Sequence, residues 1–415
     1  MANTTLQTSN LALNGGLKAK TVPYSTGKRF GDSELAYLKE ALDQNTLFYY
    51  KGNMVKRFTR KFADMYGFKH CVATSSGTAS IHVALSVLGL SIGDEVIVPP
   101  LTDQGSIIGI LFQNALPVFA DINPHTFNMD PKSVEKCITS RTKAILAVHL
   151  TGSPVDMDGL MAVANKHHIP VIEDCAQAYG TLYKGKRAGT MGLIGCYSTN
   201  DFKHMSTGDG GLIGTQDDAL AQLCFEVADK NYYRSGPAVG KSPKFLAPNY
   251  RMTELQGAVG LAQLERLDTV CQNRRKNGDR LSELLKGVSG LETHGVIEGG
   301  TCTYFIWSGR IRPEELTCDI ETFCKAVNAE GVPIWRHYSA PIYMYDLFQN
   351  KNVYQHSAFP LEGTGKSYVY EKGLCPEAER FVASAFSMGV NEFHSDQDVE
   401  ETAEGIRKVC LHYAK

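Results

Sequence analysis

The 415-residue sequence lacks an excess of one charge sign and lacks any long hydrophobic run. It has 42 Lys and Arg against 44 Asp and Glu, and the net charge of −2 gives no whole-chain case for nucleic-acid binding. The longest apolar runs, Ile107–Leu111 and Ala144–Leu150, are far shorter than the roughly 20 residues that a membrane span needs. We therefore expect neither a nucleic acid nor a membrane as a partner. The hydrophobic fraction of 43% excludes a disordered or fibrous chain.

Closely spaced cysteines are missing as well. None of the eleven cysteines forms a C-x-x-C pair, and their spacings do not repeat. Because a structural zinc site needs clustered ligands, we expect no metal site. Reduced, mostly buried cysteines are typical of a cytoplasmic protein. The first residues, MANTT, do not show the basic and then apolar order of a signal peptide, so we expect a cytoplasmic location.

Strand-like and helix-like segments alternate over the first half of the chain. Compact apolar segments such as Glu95–Val98 and Pro170–Glu173 predict buried strands, and segments with helical spacing such as Val55–Tyr66 lie between the strands. This alternation predicts an α/β fold, with a large, mainly parallel sheet covered by helices on both faces.

The pattern predicts an N-terminal arm over residues 1–25, a large domain over 26–270 and a smaller C-terminal α+β domain over 271–415. A long helical stretch from Met252 to about Leu285 would link the two domains. The region 344–372 is rich in Tyr, Gly, Lys and Ser and predicts a long exposed loop.

The first candidate for chemistry is the turn Thr74–Ala79, between a predicted strand and a predicted helix. A helix N-terminus offers unpaired N–H groups and a positive dipole end, which suit a phosphate. Small residues let the anion approach closely, and hydroxyl groups add donors. The same residue types also make an ordinary helix cap, so this turn alone leaves both interpretations open.

The second candidate is Asp174, at the carboxyl end of the strand Pro170–Glu173. Ligands bind at that end of doubly wound sheets, and a carboxylate there could hold a cationic ring nitrogen. An Asp that caps the next helix is the alternative.

The third candidate is Lys203, in a Gly- and Ser-rich loop that continues to Gly211. An amine in such a loop fits a lysine that forms a Schiff base, although a solvated lysine is the default for any single position. A phosphate turn, an acid at a strand end and a downstream lysine together make up a site for pyridoxal 5′-phosphate (PLP).

The chain also resembles the DegT/DnrJ/StrS family of PLP-dependent sugar aminotransferases, which have the aspartate-aminotransferase-like fold (type I). The resemblance runs from about Arg29 to the C-terminus. The phrases that carry it are SSGTASIHVAL (75–85), GDEVIVPPLT (93–102), PVFADI (117–122), VHLTG (148–152), VIEDCAQAYG (171–180), YSTNDFKHMSTGDGG (197–211), PNYRMTELQGAVGLAQL (248–264) and HY-x-x-P (337–341).

The resemblance implies roles for three residues around the cofactor ring. Lys203 is the lysine that forms the Schiff base and moves the proton. Asp174 pairs with the protonated pyridine nitrogen, and Gln177 lies beside the ring and its 3′-oxygen.

The resemblance also implies which residues bind the cofactor phosphate. Gly77, Thr78 and Ser198 do so from one subunit, and Asn249 is supplied by the second subunit. The implied assembly is a homodimer with shared active sites.

The acceptor side is less defined by the resemblance. Tyr49, Tyr50 and Lys51 stand where relatives contact the acceptor, and His337 and Tyr338 belong to a phrase that lies near the active site in the family. Exposed loop aromatics and a packed histidine are the alternatives for these five residues.

The sequence departs from the family pattern after Thr102. Many members carry an aromatic residue there that stacks on the pyridine ring, whereas this chain has Asp103 and Gln104. The usual Gly-Glu-Gly-Gly also reads Gly-Asp-Gly-Gly at 208–211. What stacks on the ring is thus left open by the sequence.

By this resemblance the protein transfers an amino group from glutamate or glutamine to a keto-sugar, typically nucleotide-linked, or to a keto-cyclitol of an aminoglycoside-type pathway. A PLP-dependent sugar dehydratase on the same scaffold is one alternative, but those enzymes carry His where Lys203 stands. A non-catalytic regulatory relative is another, and the complete Lys, Asp and Ser set counts against it.

Overall fold

The structure is a computed structural model that describes residues 10–234, 242–365 and 368–415. Its α-helices are α1 (Asp32–Asp43), α2 (Met54–Tyr66), α3 (Gly77–Ser86), α4 (Gly105–Phe112), α5 (Pro131–Cys137), α6 (Met157–His167), α7 (Asp218–Ala228), α8 (Glu254–Leu285), α9 (Ile320–Ala329), α10 (Asp346–Gln349), α11 (Pro376–Ser384) and α12 (Asp396–Tyr413). Within these ranges, we find no helix that combines the length and the apolar character needed to cross a bilayer.

The strands fall into three sheets. They are β1 (His70–Thr74), β2 (Glu95–Val98), β3 (Leu116–Phe119), β4 (Thr142–Val148), β5 (Val171–Asp174), β6 (Leu182–Tyr183), β7 (Lys186–Arg187), β8 (Ile194–Ser198), β9 (Gly211–Thr215), β10 (Leu291–Thr293), β11 (Gly300–Thr301), β12 (Trp307–Ile311), β13 (Trp335–Arg336) and β14 (Ala385–Met388).

The largest sheet has seven strands in the order β3-β2-β4-β5-β8-β9-β1. The strands from β3 to β8 pair in parallel, and β9 runs antiparallel to both of its neighbours. A four-stranded antiparallel sheet, β10-β12-β14-β13, lies in the C-terminal part of the chain, and a small sheet joins β11, β6 and β7. The prediction of a large, mainly parallel sheet is therefore confirmed.

Both faces of the large sheet are covered because successive side chains of a strand point to opposite sides. In β5, Val171 packs with residues of α5 and α6, whereas Ile172 packs with residues of α3 and α4. In β9, Leu212 packs with α2 and α8, whereas Ile213 joins the cluster of α3 and α4. These two strands show that helices cover both faces, as predicted.

Helix α8 forms where the sequence predicts a linking helix. It starts in a capping box, in which the Thr253 hydroxyl accepts a hydrogen bond from the Gln256 N–H and the Gln256 side chain accepts one from the Thr253 N–H. Its first half, including Leu261, packs in the core with α2, and its end, including Leu285, packs in the core of the C-terminal sheet. The division at residues 25 and 270 stays a prediction.

The prediction of a long exposed loop over 344–372 is only partly right, because the segment is mostly loop but several of its residues are buried. Phe348, Leu361 and Tyr370 are buried in the same core as α3 and α4, and the Tyr370 hydroxyl donates a hydrogen bond to the Pro117 carbonyl at 2.8 Å. The segment includes the short helix α10. Its polar composition indicated exposure, but single aromatic residues at irregular spacing anchor it to the core. Residues 366–367 lie outside the described residues.

The predicted N-terminal arm is described from residue 10, so residues 1–9 lie outside the described residues. Its later part is held against α12 by a buried ion pair. The Lys20 ammonium lies 2.8 Å from Asp398 and 3.2 Å from Glu401, and the Lys20 and Asp398 side chains are 2% and 3% exposed. Burial alone would raise the pKa of Asp398, but hydrogen bonds from Lys20, Ser25 and Ser395 hold it well below its ordinary value.

We expect Lys20→Met to lower the midpoint of thermal unfolding near pH 7 by about 3 °C, because breaking a buried ion pair costs about 3 kcal/mol. A carboxylate with a depressed folded pKa stabilises the fold above its unfolded pKa, and this contribution disappears as the pH falls through the folded pKa. The difference between wild type and variant should therefore shrink below about pH 4. Differential scanning calorimetry across this pH range measures both effects.

The matched control is Lys39→Met, which removes an exposed pair with Asp43 and should change the midpoint by less than about 1 °C. Equal midpoints for wild type and Lys20→Met would contradict the structural role of the Lys20–Asp398 pair.

Candidate active site

The turn between β1 and α3 has the features of an anion site. Ser76 caps α3, with an extended backbone and with its Oγ accepting a hydrogen bond from the Ala79 N–H at 3.0 Å. The first N–H groups of a helix have no partner within the helix, and the helix dipole is positive at that end. The N–H groups of Gly77 and Thr78 are therefore suited to bind a phosphate.

Glycine is needed at position 77 because Ser198 lies against it. A Cβ at Gly77 would stand 2.5 Å from the Ser198 Cβ, closer than two carbon atoms can pack. Ser198 ends β8 and is buried, and its Oγ accepts a hydrogen bond from the Asn200 N–H at 3.3 Å, which leaves its proton to donate. The structure thus brings Gly77, Thr78 and Ser198 together at one end of the sheet.

The acid that the sequence singles out lies at the carboxyl end of β5. Asp174 is 4% exposed, its Oδ1 accepts a hydrogen bond from the Ala176 N–H at 3.0 Å, and its Oδ2 accepts one from the Ser106 hydroxyl at 2.7 Å. Burial raises the pKa of Asp174, and the two hydrogen bonds and the charge of Lys203 oppose that rise. In this poorly solvated position, the carboxylate would interact strongly with a nearby cation.

Lys203 lies in the loop between β8 and β9 and is half-buried. Its Nζ is 4.1 Å from the centroid of the Phe305 ring. Burial lowers the pKa of Lys203, and the charges of Asp174 and Asp103 partly oppose this change. A lowered pKa leaves more of the amine neutral at a given pH, and the neutral amine is the form that acts as nucleophile and base.

An arginine from the N-terminal segment fixes the loop that carries Lys203. The Arg29 guanidinium donates hydrogen bonds to the carbonyl oxygens of Asp201 and Lys203. The Arg29 carbonyl in turn accepts a hydrogen bond from the Gln263 side chain of α8 at 2.8 Å. Arg29 therefore ties the lysine loop to the long helix.

One cavity of about 660 Å³ connects these groups. The residues singled out in the sequence that line it are Gly77, Thr78, Asp174, Gln177, Ser198, Lys203, His337 and Tyr338. The phosphate turn, the acid and the lysine thus face a common space, which is the arrangement that a PLP site needs.

Asp103, at the position where many relatives carry an aromatic residue, lines this cavity together with Tyr338. Burial and the nearby Asp103 charge raise the pKa of Tyr338, and Gln177 lines the same cavity. Phe305 also brings an aromatic ring to the lining. The cavity therefore has an aromatic surface, contributed by segments that lie far from Asp103 in the sequence.

His337 lines the cavity and is anchored to the C-terminal sheet. Its Nδ1 hydrogen-bonds to the hydroxyl of Ser308 at 3.1 Å and to that of Ser387. Burial lowers the pKa of His337 to about 3, so the ring is neutral near pH 7. Its Nε2 has no hydrogen-bond partner among the described residues.

Tyr49, Tyr50 and Asn249 lie apart from this cavity. Tyr49 and Tyr50 line a second cavity of about 190 Å³ together with Asp229 and Arg251. The Tyr49 hydroxyl donates a hydrogen bond to Asp229 at 2.5 Å, and the Asn249 side-chain oxygen accepts one from Arg251 at 2.8 Å. We call these five residues the Asp229 cluster.

Lys51 is exposed and lines neither of the two cavities. Two arginines neutralise the charge at the centre of the Asp229 cluster: Arg234 lies 2.7 Å and Arg251 lies 3.3 Å from the Asp229 carboxylate. The structure therefore places Tyr49, Tyr50, Lys51 and Asn249 outside the Lys203 cavity of the same chain.

The buried group His149, Glu173 and Cys175 has ligand atoms within 4.8 Å of one another. Its hydrogen bonds explain it without an ion. His149 Nδ1 accepts a bond from the Val155 N–H, and its Nε2–H donates to Glu173 at 2.9 Å. Three backbone N–H groups, from residues 189, 191 and 192, also donate to Glu173. We infer that this group has a structural role and fixes the end of β5, directly beside Asp174.

Sequence analysis did not identify Ser106 and Arg29. Thr102 lies before α4 and Ser106 lies in its first turn, so the path of the backbone into the helix brings the two hydroxyl groups together, and the sequence carries no spacing signal for this contact. Arg29 is a lone arginine before the first helix, and the sequence carries no spacing signal for it.

Comparisons with known proteins identify the family of the chain. The profile of the DegT/DnrJ/EryC1/StrS aminotransferase family matches residues 28–366. An L-glutamine:2-deoxy-scyllo-inosose aminotransferase of Streptomyces kanamyceticus is 34% identical, with 99% of each chain covered. The GDP-perosamine synthase of Escherichia coli O157:H7 is 32% identical over 90% of this chain and 98% of its own.

A solved structure gives the same result for the fold. The X-ray structure of the aminotransferase from Psychrobacter cryohalolentis has a TM-score of 0.82 at 29% identity, and the match covers 92% of this chain and 98% of the other. The predicted family resemblance and the aspartate-aminotransferase-like fold are thereby confirmed. The chain belongs to the DegT/DnrJ/EryC1/StrS aminotransferase family.

Proposed function

We propose that the protein is a PLP-dependent aminotransferase that moves an amino group from glutamine or glutamate to a keto-cyclitol or a keto-sugar, for amino-sugar or aminoglycoside-type biosynthesis. The observation that carries this proposal is the meeting of Lys203, Asp174 and the Ser76–Thr78 turn in one cavity. The relatives support the substrate classes, because one is named for glutamine and a cyclitol ketone and the other for a GDP-linked amino sugar.

The residues of the cavity fit PLP. Because Gly77 has no side chain, a space remains beside Ser198 at the helix N-terminus, and a Cβ at position 77 would fill this space. The free N–H groups there suit the phosphate. Asp174 would hold the pyridine nitrogen, and Lys203 would hold the aldehyde carbon through its amine. Ser198 would donate its hydroxyl proton to the phosphate.

When bound, PLP supplies an electron sink for the bonds that break at the amino-bearing carbon. Lys203 supplies the base. Because burial lowers the pKa of its amine, Nζ can accept a proton from the α-carbon of the donor and then deliver it to carbon C4′ of the cofactor. Arg29 keeps the backbone of Lys203 in place while the side chain moves.

Asp174 supplies a fixed negative charge for the ring nitrogen. Its two hydrogen bonds are made before any ligand binds, so the charge needs no reorganisation during the reaction. Gln177, which accepts a hydrogen bond from the Thr151 N–H at 2.8 Å, would lie beside the same ring.

The dehydratase alternative requires a histidine that acts in place of the lysine. The histidine that follows Lys203 directly in the sequence is His204, which is 2% exposed and whose Nε2 hydrogen-bonds to the Thr303 carbonyl at 3.0 Å. Burial holds the pKa of His204 far below its ordinary value, and its side chain is not part of the cavity lining. These observations favour transamination by Lys203.

We further propose a homodimer in which Asn249 reaches the phosphate of the neighbouring subunit. The support is that Asn249 and the rest of the Asp229 cluster lie outside the Lys203 cavity of their own chain. Twofold symmetry would then form two sites at one interface. The cytoplasmic location stays a prediction from the cysteine usage.

The proposed function is tested with PLP-loaded protein, glutamine or glutamate labelled with ¹⁵N at the α-amino group, and a panel of keto-cyclitols and nucleotide-linked keto-sugars. Mass spectrometry should find the label in one aminated acceptor. Release of water from a keto-sugar without transfer of label would support the dehydratase instead.

We expect Lys203→Ala to abolish turnover and to let PLP be removed by dialysis, because no amine remains to hold the aldehyde carbon. The absorbance of PLP in the retained fraction measures this loss. Lys184→Ala, which changes an exposed lysine paired with Asp158, should keep both the cofactor and the activity. A Lys203→Ala protein that retains PLP as firmly as wild type would exclude Lys203 as the anchoring lysine.

Asp174→Asn keeps the shape of the side chain but removes its charge. We expect kcat to fall by at least about 100-fold, since a preorganised charge at the ring nitrogen is lost. Steady-state kinetics with the acceptor found above measures the change, and Asp158→Asn is the exposed control. Activity within about threefold of wild type would remove Asp174 from this role.

Complementation tests the shared site. Lys203→Ala and Asn249→Ala proteins, each inactive, are mixed under conditions that exchange subunits. Each heterodimer then has one site with both defects and one with neither, so activity should recover to about a quarter of wild type after statistical mixing. If native mass spectrometry shows heterodimers but no activity returns, Asn249 does not act across the interface.

A further inference from the structure

Two hydroxyl groups near the start of α4 form a chain of hydrogen bonds that ends on Asp174. The Thr102 and Ser106 hydroxyl oxygens are 2.6 Å apart, and the Ser106 hydroxyl lies 2.7 Å from Asp174 Oδ2. All three side chains are buried, with exposed fractions of 3%, 1% and 4%. Nothing in the sequence comparison assigns a task to either hydroxyl.

The direction of this chain follows from the number of protons. An ionised carboxylate can only accept hydrogen bonds, so the single hydroxyl proton of Ser106 must point to Asp174. Ser106 then has no proton left for Thr102, and Thr102 must donate to Ser106. Together with the Ala176 N–H on Oδ1, each carboxylate oxygen receives one donor from the chain and keeps a lone pair for a ligand.

The backbone brings Ser106 close to Asp174 because α4 approaches the phosphate turn. Gly105 lies against Thr78, and a Cβ at Gly105 would stand 2.6 Å from the Thr78 hydroxyl oxygen. A larger residue there would push the first turn of α4, and Ser106 with it, away from the sheet edge. The same glycine therefore serves the phosphate turn and the hydroxyl chain.

We propose that Ser106, oriented by Thr102, is a positioning residue that keeps Asp174 ionised and aimed at the ring nitrogen of the cofactor. This proposal rests on the proposed function, because it needs PLP in the cavity. The packing of α4 alone does not require a hydroxyl at Ser106. Alanine is smaller than serine, so it would fit at this position without a clash.

Charged and titratable groups face Asp174 from several elements. Burial raises the pKa of Asp174, and Ala176, Ser106 and Lys203 lower it, while the charge of Asp103 raises it. Tyr338 from the C-terminal part also lies within range of the carboxylate charge. Cys175, directly after β5, and Cys196, in β8, also lie within range of the carboxylate charge. Burial raises the pKa of both thiols, so they are neutral near pH 7. Ser106 thus acts against burial and Asp103, on the same side as Lys203.

Removing the Ser106 hydroxyl should raise the pKa of Asp174, since a hydrogen bond to the charged form favours that form. A hydrogen bond to a charged group corresponds to a shift of about one pH unit. Protonated Asp174 cannot pair with the ring cation. The loss of PLP affinity on the acid side should therefore begin about one pH unit higher in Ser106→Ala than in wild type.

The experiment measures PLP binding to apo-protein by absorbance and fluorescence as a function of pH. The proteins compared are wild type, Ser106→Ala, Thr102→Val and Thr102→Ser. The control is Ser384→Ala, which removes another buried serine hydroxyl, bonded at 2.9 Å to the Arg380 carbonyl and absent from the cavity lining. The ionisations of PLP itself are the same in every titration and cancel in the difference.

We expect the acid limb to move up by about one unit in Ser106→Ala and by a smaller amount in Thr102→Val. Thr102→Ser and Ser384→Ala should match wild type. In the loaded enzyme, kcat of Ser106→Ala should fall by about tenfold or more while the KM for the amino donor stays within about threefold. Thr102→Val tests the proposal through an unaltered Ser106 if Ser106→Ala fails to fold.

The proposal is overturned if the wild-type protein binds PLP and transfers the amino group, but Ser106→Ala shows the same pH dependence of PLP binding as wild type. Circular dichroism must show that the variant is folded. Equal titration of Thr102→Val and wild type would remove Thr102 from the chain. A wild type that binds no PLP would instead overturn the proposed function, and this inference with it.

Discussion

The account depends on one electrostatic constraint: a carboxylate and an amine face the same buried cavity, and each changes the ionisation of the other. Burial raises the pKa of Asp174 and lowers the pKa of Lys203, and so favours the neutral form of each group. Catalysis of the proposed kind needs an ionised acid and a neutral amine. The structure meets this need in two ways: two hydrogen-bond donors favour the ionised form of Asp174, and burial favours the neutral form of the Lys203 amine.

The topology explains why these groups meet. Asp174 ends β5, Ser198 ends β8, and β5 and β8 are parallel neighbours in the seven-stranded sheet. The carboxyl ends of parallel strands lie at one edge, where the loop with Lys203 and the turn before α3 also lie. The long helix α8 and Arg29 then hold the lysine loop from outside the sheet.

Much of this arrangement could be predicted from the sequence, because the apolar residues follow a clear pattern there and turn residues mark the ends of the helices and strands. The strand Glu95–Val98 has the predicted bounds, and the helix predicted over Val55–Tyr66 begins one residue earlier, at Met54, because a compact apolar run and helical apolar spacing are strong local signals. Asp174 is a candidate because it follows a predicted strand and Lys203 because it lies in a Gly- and Ser-rich loop, and the family phrases then imply a role for each. Residues 344–372 were misjudged because scattered tyrosines in a polar segment give no period, although Tyr370 anchors the segment. Contacts between segments distant in sequence, such as Ser106 with Asp174 or Arg29 with the Lys203 carbonyl, leave no local pattern at all.

The central claim is that Lys203 holds PLP in this cavity. The most direct measurement is to load the wild-type protein with PLP, fix it with borohydride, digest the chain and locate the added mass by mass spectrometry. The account predicts that the label lies on the peptide that contains Lys203, and that it disappears from that peptide when the reduction follows addition of the amino donor. A label on another lysine, or none with PLP firmly bound, would contradict it.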